Sequence, residues 1–169
     1  MGMVSRKLLI TGAAKRIGAA IATQLASDGW HVMIHCNRNR QSADDLCNNL
    51  LQKGFKAEVL QADLSNPDAC IQLIQEASKG ENLDALINNA SLFVYDEIND
   101  FSVQTLQRHI AVNVAAPAIL TSEFARQFRA KNSGCVINIL DSKLFGLNPD
   151  YFTYTLSKAA LQNFGILAA

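Results

Sequence analysis

No stretch of this sequence is long and apolar enough to span a membrane, because its fattest apolar run, Ile110 to Thr121, is short and contains Asn113 and Pro117. No excess of charge is present either. Fifteen basic residues balance fifteen acidic ones, so no global field favours nucleic acid or an anionic membrane surface, and any anion site must be local. The four cysteines, Cys36, Cys47, Cys70 and Cys135, form no Cys-x-x-Cys pair, and no apolar signal segment follows Met1. These absences predict a cytoplasmic protein with free thiols and no metal site, whose partners include neither nucleic acid nor membrane. Internal repeats, low-complexity segments and linker-like composition are also missing, which leaves a single domain over residues 1–169 as the expectation.

What is present is a globular composition, 49% hydrophobic and 18% charged, patterned as strands alternating with helices. Lys7 to Thr11 is a short apolar run that meets Gly12, and an apolar-periodic segment from Ile17 to Leu25 follows directly. A second β-favouring run, His31 to Cys36, leads through polar residues into a helical stretch carrying Leu46, Leu50 and Leu51. Further strands read at Lys56 to Gln61, Ala85 to Asn88 and Cys135 to Leu140, with helices at about Pro67 to Lys79 and Gln104 to Lys131. Such alternation predicts an α/β fold: a doubly wound parallel sheet with right-handed crossovers and helices on both faces.

The segment from Thr11 to Gly18, TGAAKRIG, lies where the first strand turns into the first helix. Free N–H groups and the helix dipole point there, and a pyrophosphate fits that place. Gly12 lets the chain turn close to the phosphates and Gly18 lets helix and sheet approach. Gly12, Lys15, Arg16, Ile17 and Gly18 are therefore candidate cofactor residues, the alternative being a plain strand-to-helix turn. Folds that hold NAD place a carboxylate about 20 residues further on, against the ribose hydroxyl. Here no acid occurs between Asp28 and Asp44, and the second strand runs out into Cys36-Asn37-Arg38-Asn39-Arg40. A guanidinium grips a 2′-phosphate, so Arg38, with Asn37, Asn39 and Lys15 nearby, predicts NADP(H) as cofactor. The competing reading makes Arg38 and Arg40 solvated loop charges.

Four further motifs follow in order: Asp63-Leu64, Asn88-Asn89-Ala90, Asn113 and Tyr154-Thr155-Leu156-Ser157-Lys158. With the glycine loop they resemble the short-chain dehydrogenase/reductase family over essentially all 169 residues. The resemblance implies a Rossmann-type domain binding NADP(H) in which Asp63 and Leu64 contact adenine and Asn89, Ala90 and Ser91 line the cofactor. It also implies that Tyr154 donates a proton, Lys158 holds the nicotinamide ribose, and Asn113 supports a water linked to that lysine. Residues four apart share a helix face, so Tyr154 and Lys158 are expected in one cleft, with the ammonium favouring the phenolate.

Four departures from the family pattern agree with one another. Asp141 stands thirteen places before Tyr154, where a serine is usual; Arg16 replaces the middle glycine of the loop; Ser91 replaces a glycine; and Phe93 follows two residues later. Together they look like the pteridine reductases and dihydromonapterin reductases. That resemblance implies a pterin stacked on Phe93, with Ser91 and Arg16 contacting cofactor phosphate and substrate, and Asp141 working with Tyr154 in proton delivery. Other readings stay open: Phe93 as a core aromatic, Asp141 as a turn cap, or Ser142 standing in for the serine. An ordinary carbonyl ketoreductase and a nucleotide-binding chain without turnover stay open as well. Members of the family continue through two more strands and a closing segment, so the C-terminal strands are expected to be missing here. The expectation is a bare sheet edge at the fifth strand, an uncovered Leu161/Phe164 surface and a homo-oligomer.

Overall fold

The computed structural model describes residues 6–128 and 134–169. Five strands, β1 (Lys7–Ile10), β2 (His31–Cys36), β3 (Ala57–Gln61), β4 (Ala85–Asn88) and β5 (Cys135–Asn138), form one parallel sheet in the order β3-β2-β1-β4-β5. Helices α1 (Arg16–Ser27), α2 (Arg40–Gln52), α3 (Pro67–Ala77), α4 (Val103–Ile110) and α5 (Ala116–Arg126) fill the crossovers, and α6 (Phe152–Leu167) follows β5. The doubly wound α/β architecture expected from the alternation is the one observed.

The inner strands are largely apolar because both faces are covered, and successive residues serve different cores. Leu8 and Ile10 of β1, with Val32 and Ile34 of β2, pack with Ala22 and Ala26 of α1 and Ala43 and Leu50 of α2. Leu9 and Met33 point the other way, joining Leu86 with Leu73 and Ile74 of α3 and Leu120 and Phe124 of α5. A slip of one residue would turn each set to the wrong face. Each large side chain so buried contributes about 1.5–3 kcal/mol, which holds the register firmly. The strand order reverses between β1 and β4, and an α/β sheet opens its ligand crevice at the C-terminal ends of the strands at such a point.

The helix expected from Gln104 to Lys131 is three pieces. α4 starts at Val103, capped by the Ser102 side chain, and a π-turn at Ala111–Ala115 separates it from α5. Pro117 has no N–H for the carbonyl four residues earlier, that of Asn113, and the wider turn accommodates this. The expected continuation to Lys131 lies outside the described residues. β5 stops at Asn138, two residues early, as the carbonyl of Ile139 turns to accept from Lys158 Nζ at 2.8 Å. Among the described residues β5 is a sheet edge with Cys135 and Ile137 exposed. The expected uncovered surface at Leu161 is not found: Leu161 is buried and Phe164 half-buried, because α6 packs back on α4, β5 and the π-turn, and the exposure falls on Ile166 and Leu167. Among the described residues no helix is long and apolar enough to cross a membrane, and no group of side chains is arranged to hold a metal ion.

Candidate active site

At the switch point the glycine loop and the segment after β4 are locked together. Thr11 Oγ1 accepts from the backbone N–H groups of Asn89 and Ala90, both at 3.0 Å, while Asn89 Nδ2 donates to the carbonyls of Thr11 and Gly12 at 2.8 and 3.1 Å. Contact is close enough to require glycine. Gly12 has φ +63° and a Cβ there would lie 2.9 Å from Ala90 Cα, while one at Gly18 would lie 2.6 Å from Asn89 Nδ2. Arg16, in place of the middle glycine, nevertheless takes the left-handed conformation at φ 54°.

Helix α1 starts from Lys15 with no side-chain cap and no acid in its first turn. Its first N–H groups are thus left for an anion, and the residues present fit a dinucleotide diphosphate. Arg40 is tied to Asp44 at 2.8 Å. Arg38 has no ion-pair partner among the described residues and stands exposed at the rim, which separates the two arginines in favour of Arg38. Asp63 accepts from Ser65 N and Oγ at 2.9 and 2.8 Å and from Asn37 Nδ2 at 3.3 Å. The Ser65 bonds hold its carboxyl below the usual range.

A cleft of about 870 Å³ collects these groups and those of the other end. Every sequence-predicted site residue except Asn113 lines it: Gly12, Lys15, Arg16, Ile17, Gly18, Asn37, Arg38, Asn39, Asp63, Leu64, Asn89, Ala90, Ser91, Phe93, Asp141, Tyr154 and Lys158. Asn113 is fully buried in the π-turn beneath it. Its amide donates to Leu92 O and Ser157 Oγ, both at 2.9 Å, and its oxygen accepts from Leu92 N at 2.7 Å and Ser91 Oγ at 3.2 Å. The side chain is spent on bracing the β4 segment to α6.

Tyr154 and Lys158 do share a cleft-facing side of α6, but their expected coupling is reversed. Lys158 Nζ sits 5.9 Å from the Tyr154 ring and is bound to Ile139 O, whereas Tyr154 Oη donates to Asp141 Oδ2 at 2.6 Å. Burial and the facing carboxylate push the phenol well above its ordinary value, so it is held protonated and not as phenolate. Asp141 lies below the usual carboxylate range, chiefly through the Lys143 N–H bond and then the Tyr154 hydroxyl. Burial lowers Lys158, and Asp141 partly offsets this. Asp141 is also the cap of the 3₁₀ turn Ser142–Phe145, accepting from Lys143 N at 2.8 Å; the cap and the tyrosine partner are one residue. Ser142 is exposed and does not line the cleft, which removes it as a substitute for the usual serine.

Phe93 is 53% exposed and therefore not a core aromatic. One face stacks on Tyr151, centroids 4.1 Å apart and planes at 8°, and the ring packs perpendicular to that of Tyr154 with centroids 4.6 Å apart. Tyr151 takes the left-handed conformation at φ 55° as it opens α6, and nothing in its sequence neighbourhood signals this. Two more polar groups lie buried beneath the cleft residues. Asp96 accepts from Thr153 N at 3.1 Å and from the Thr153 hydroxyl, which also meets His109 Nδ1 at 2.8 Å, so a buried trio fixes the start of α6. His35 is buried under the glycine loop. His35 alone carries a signal, a polar residue inside an otherwise apolar strand, and that signal does not say what the ring contacts.

Comparison with known proteins agrees with this geometry. The family profile described as short chain dehydrogenase matches residues 6–167. The uncharacterized oxidoreductase YjdA of Bacillus subtilis is 32% identical over 162 residues, covering 92% of this chain and 64% of the relative. Among solved structures, FolM alternative dihydrofolate reductase 1 from Brucella suis, in complex with NADP, is 39% identical with a TM-score of 0.88, covering 94% of this chain and 66% of that one. The 3-oxoacyl (acyl-carrier-protein) reductase from Agrobacterium tumefaciens, with NADP bound, is 28% identical with a TM-score of 0.89, covering 96% and 63%. The chain thus spans about 64% of the length of YjdA. On the profile match, the strand order and the Tyr154/Lys158 cleft together, the chain belongs to the short chain dehydrogenase family.

Proposed function

We propose that this chain carries the NADPH-binding and proton-donating parts of a reductase that acts on a pterin ring. The observation that carries the reading is the Tyr154–Asp141 pair, 2.6 Å apart, beside the exposed ring of Phe93 in one cleft with the glycine loop. The 39% identity to an alternative dihydrofolate reductase solved with NADP supports it. NADPH, when bound, supplies a hydride. Arg38 holds its 2′-phosphate, the start of α1 takes the diphosphate, and Phe93 offers the exposed part of its ring to a flat heterocycle. Tyr154 holds the proton destined for a ring nitrogen, since two acceptors so close share one proton and it resides on the phenol. Asp141, as the acceptor of the Tyr154 hydroxyl, keeps that hydroxyl aimed before the proton leaves. A small molecule is the partner, acting in the cytoplasm, and copies of the chain associate through the apolar edge at β5.

The test is NADPH oxidation followed with a dihydropterin and, separately, with a ketone, each repeated with NADH and with Arg38→Asp. Dihydropterin-dependent oxidation preferring NADPH, with the preference lost by roughly tenfold or more in Arg38→Asp, is the expected result. Ketone-dependent oxidation alone would assign a carbonyl reductase instead, and equal affinity for NADH and NADPH would remove Arg38 from the site.

A further inference from the structure

β2 is apolar and buried, yet its fifth residue is a histidine only 1% exposed. A buried imidazole needs partners for both ring nitrogens, and both are in the cofactor loops. Nδ1 accepts from Gly12 N at 3.0 Å, and Nε2 lies 3.1 Å from the carbonyl of Ala62. A backbone N–H only donates and a carbonyl only accepts, so a single neutral form, protonated on Nε2, satisfies both. The main-chain carbonyl of the same residue takes the N–H of Ala13 at 2.9 Å.

Two consecutive amides of the glycine loop are therefore consumed by one residue of β2. They are not available to an anion, and the groups that are lie one turn later, at the start of α1. The Gly12 bond also fixes a peptide whose φ of +63° is one of many that glycine adopts freely. At the ring's other end, Ala62 immediately precedes Asp63, whose carboxylate is bound by Asn37. One ring thus ties the diphosphate loop to the loop at the adenosine end. We infer that His35 is a positioning residue for the cofactor: it sets the glycine loop through Nδ1 and couples that loop to the β3 end through Nε2. The inference rests on the nucleotide site proposed above and goes beyond it.

Three substitutions separate the two bonds. His35→Asn places Oδ1 where Nδ1 stood and keeps an acceptor for Gly12. His35→Gln places a donor near Ala62 but offers Gly12 nothing, and His35→Leu fills the space with neither. NADPH titration by nicotinamide fluorescence, on the 169-residue chain, is expected to rank His35 and Asn together within about threefold, with Gln and Leu weaker by about tenfold, the worth of one hydrogen bond. Amide exchange at Gly12 should quicken in Gln and Leu but not in Asn. Affinity falling in step with thermal stability across all three variants, or unchanged Gly12 exchange in Gln, would overturn the assignment. An unsubstituted chain that does not bind NADPH would instead overturn the cofactor reading, and Gly12 exchange would still decide whether His35 holds the loop.

Discussion

β4 and β5 are neighbours in one sheet with the same length and direction, yet all four residues of β4 are buried while Cys135 and Ile137 of β5 are exposed. The contrast extends to what each side of the cleft carries. On the β1, β2 and β4 side, loops are held by bonds within the chain: Thr11 to Asn89 and Ala90, His35 to Gly12 and Ala62, Asp63 to Asn37 and Ser65. On the β5 side Phe145 and Leu147 stand in solvent at 87% and 75% exposure, and the site depends on a few side chains, Asp141, Tyr154 and Phe93. One side is a finished binding frame. The other presents chemistry on a surface that is still apolar.

The largest expected effect separates the two sides outright. Tyr154→Phe removes only the hydroxyl that donates to Asp141, so reduction should fall by about 10²–10⁴-fold while NADPH affinity stays within a factor of about two. Steady-state rates beside a fluorescence titration check this, and a variant retaining most of its turnover would move the proton donor off Tyr154.

Acid should then strike the nucleotide side. Burial pushes His35 down to about 4 from its ordinary 6.5. Below pH 6.5 the unfolded chain takes up a proton that the folded chain refuses, so stability is full above that pH and is lost as pH falls towards 4, by roughly 3 kcal/mol from this residue. His109, also lowered by burial, adds in the same direction. Urea midpoints at pH 7 and 4.5 measure the loss, and His35→Leu should show a smaller one; an identical pH dependence in the variant would mean that His35 is not held neutral.

The smallest effect is expected on β5. Ile137→Lys should alter stability by no more than about 0.5 kcal/mol, since its side chain is already 45% exposed, and should reduce association of copies in sedimentation because a charged edge resists pairing. The same change at Ile87 of β4, 4% exposed, should unfold the chain. Equal tolerance at both positions would erase the contrast between the strands.

Much of this was legible in the residues. Strand and helix alternation followed from periodicity, and the glycine loop, Arg38, Asp141 and Tyr154 line one cleft, the first two expected from their place after strands and the last two from the family resemblance. Local rules failed where a partner distant in the chain decides. Lys158 bonds Ile139 rather than reinforcing the Tyr154 phenolate, because the strand-end carbonyl is nearer than the phenol. Asn113 is absorbed by Leu92 and Ser157 because the π-turn at Pro117 carries it under the cleft. Tyr151, His35 and the Asp96–Thr153–His109 trio act only through contacts across the fold, which composition and period cannot register.

Arg16 keeps a left-handed backbone at φ 54°, a conformation that costs a residue with a Cβ about 1–2 kcal/mol relative to the right-handed one and costs glycine almost nothing. The residue lines the cleft, so recognition and robustness pull opposite ways at a single codon. A library randomised at position 16 and screened only for survival on heating should enrich glycine, and the winners should be hardier proteins with a poorer grip on whatever the cleft is meant to hold.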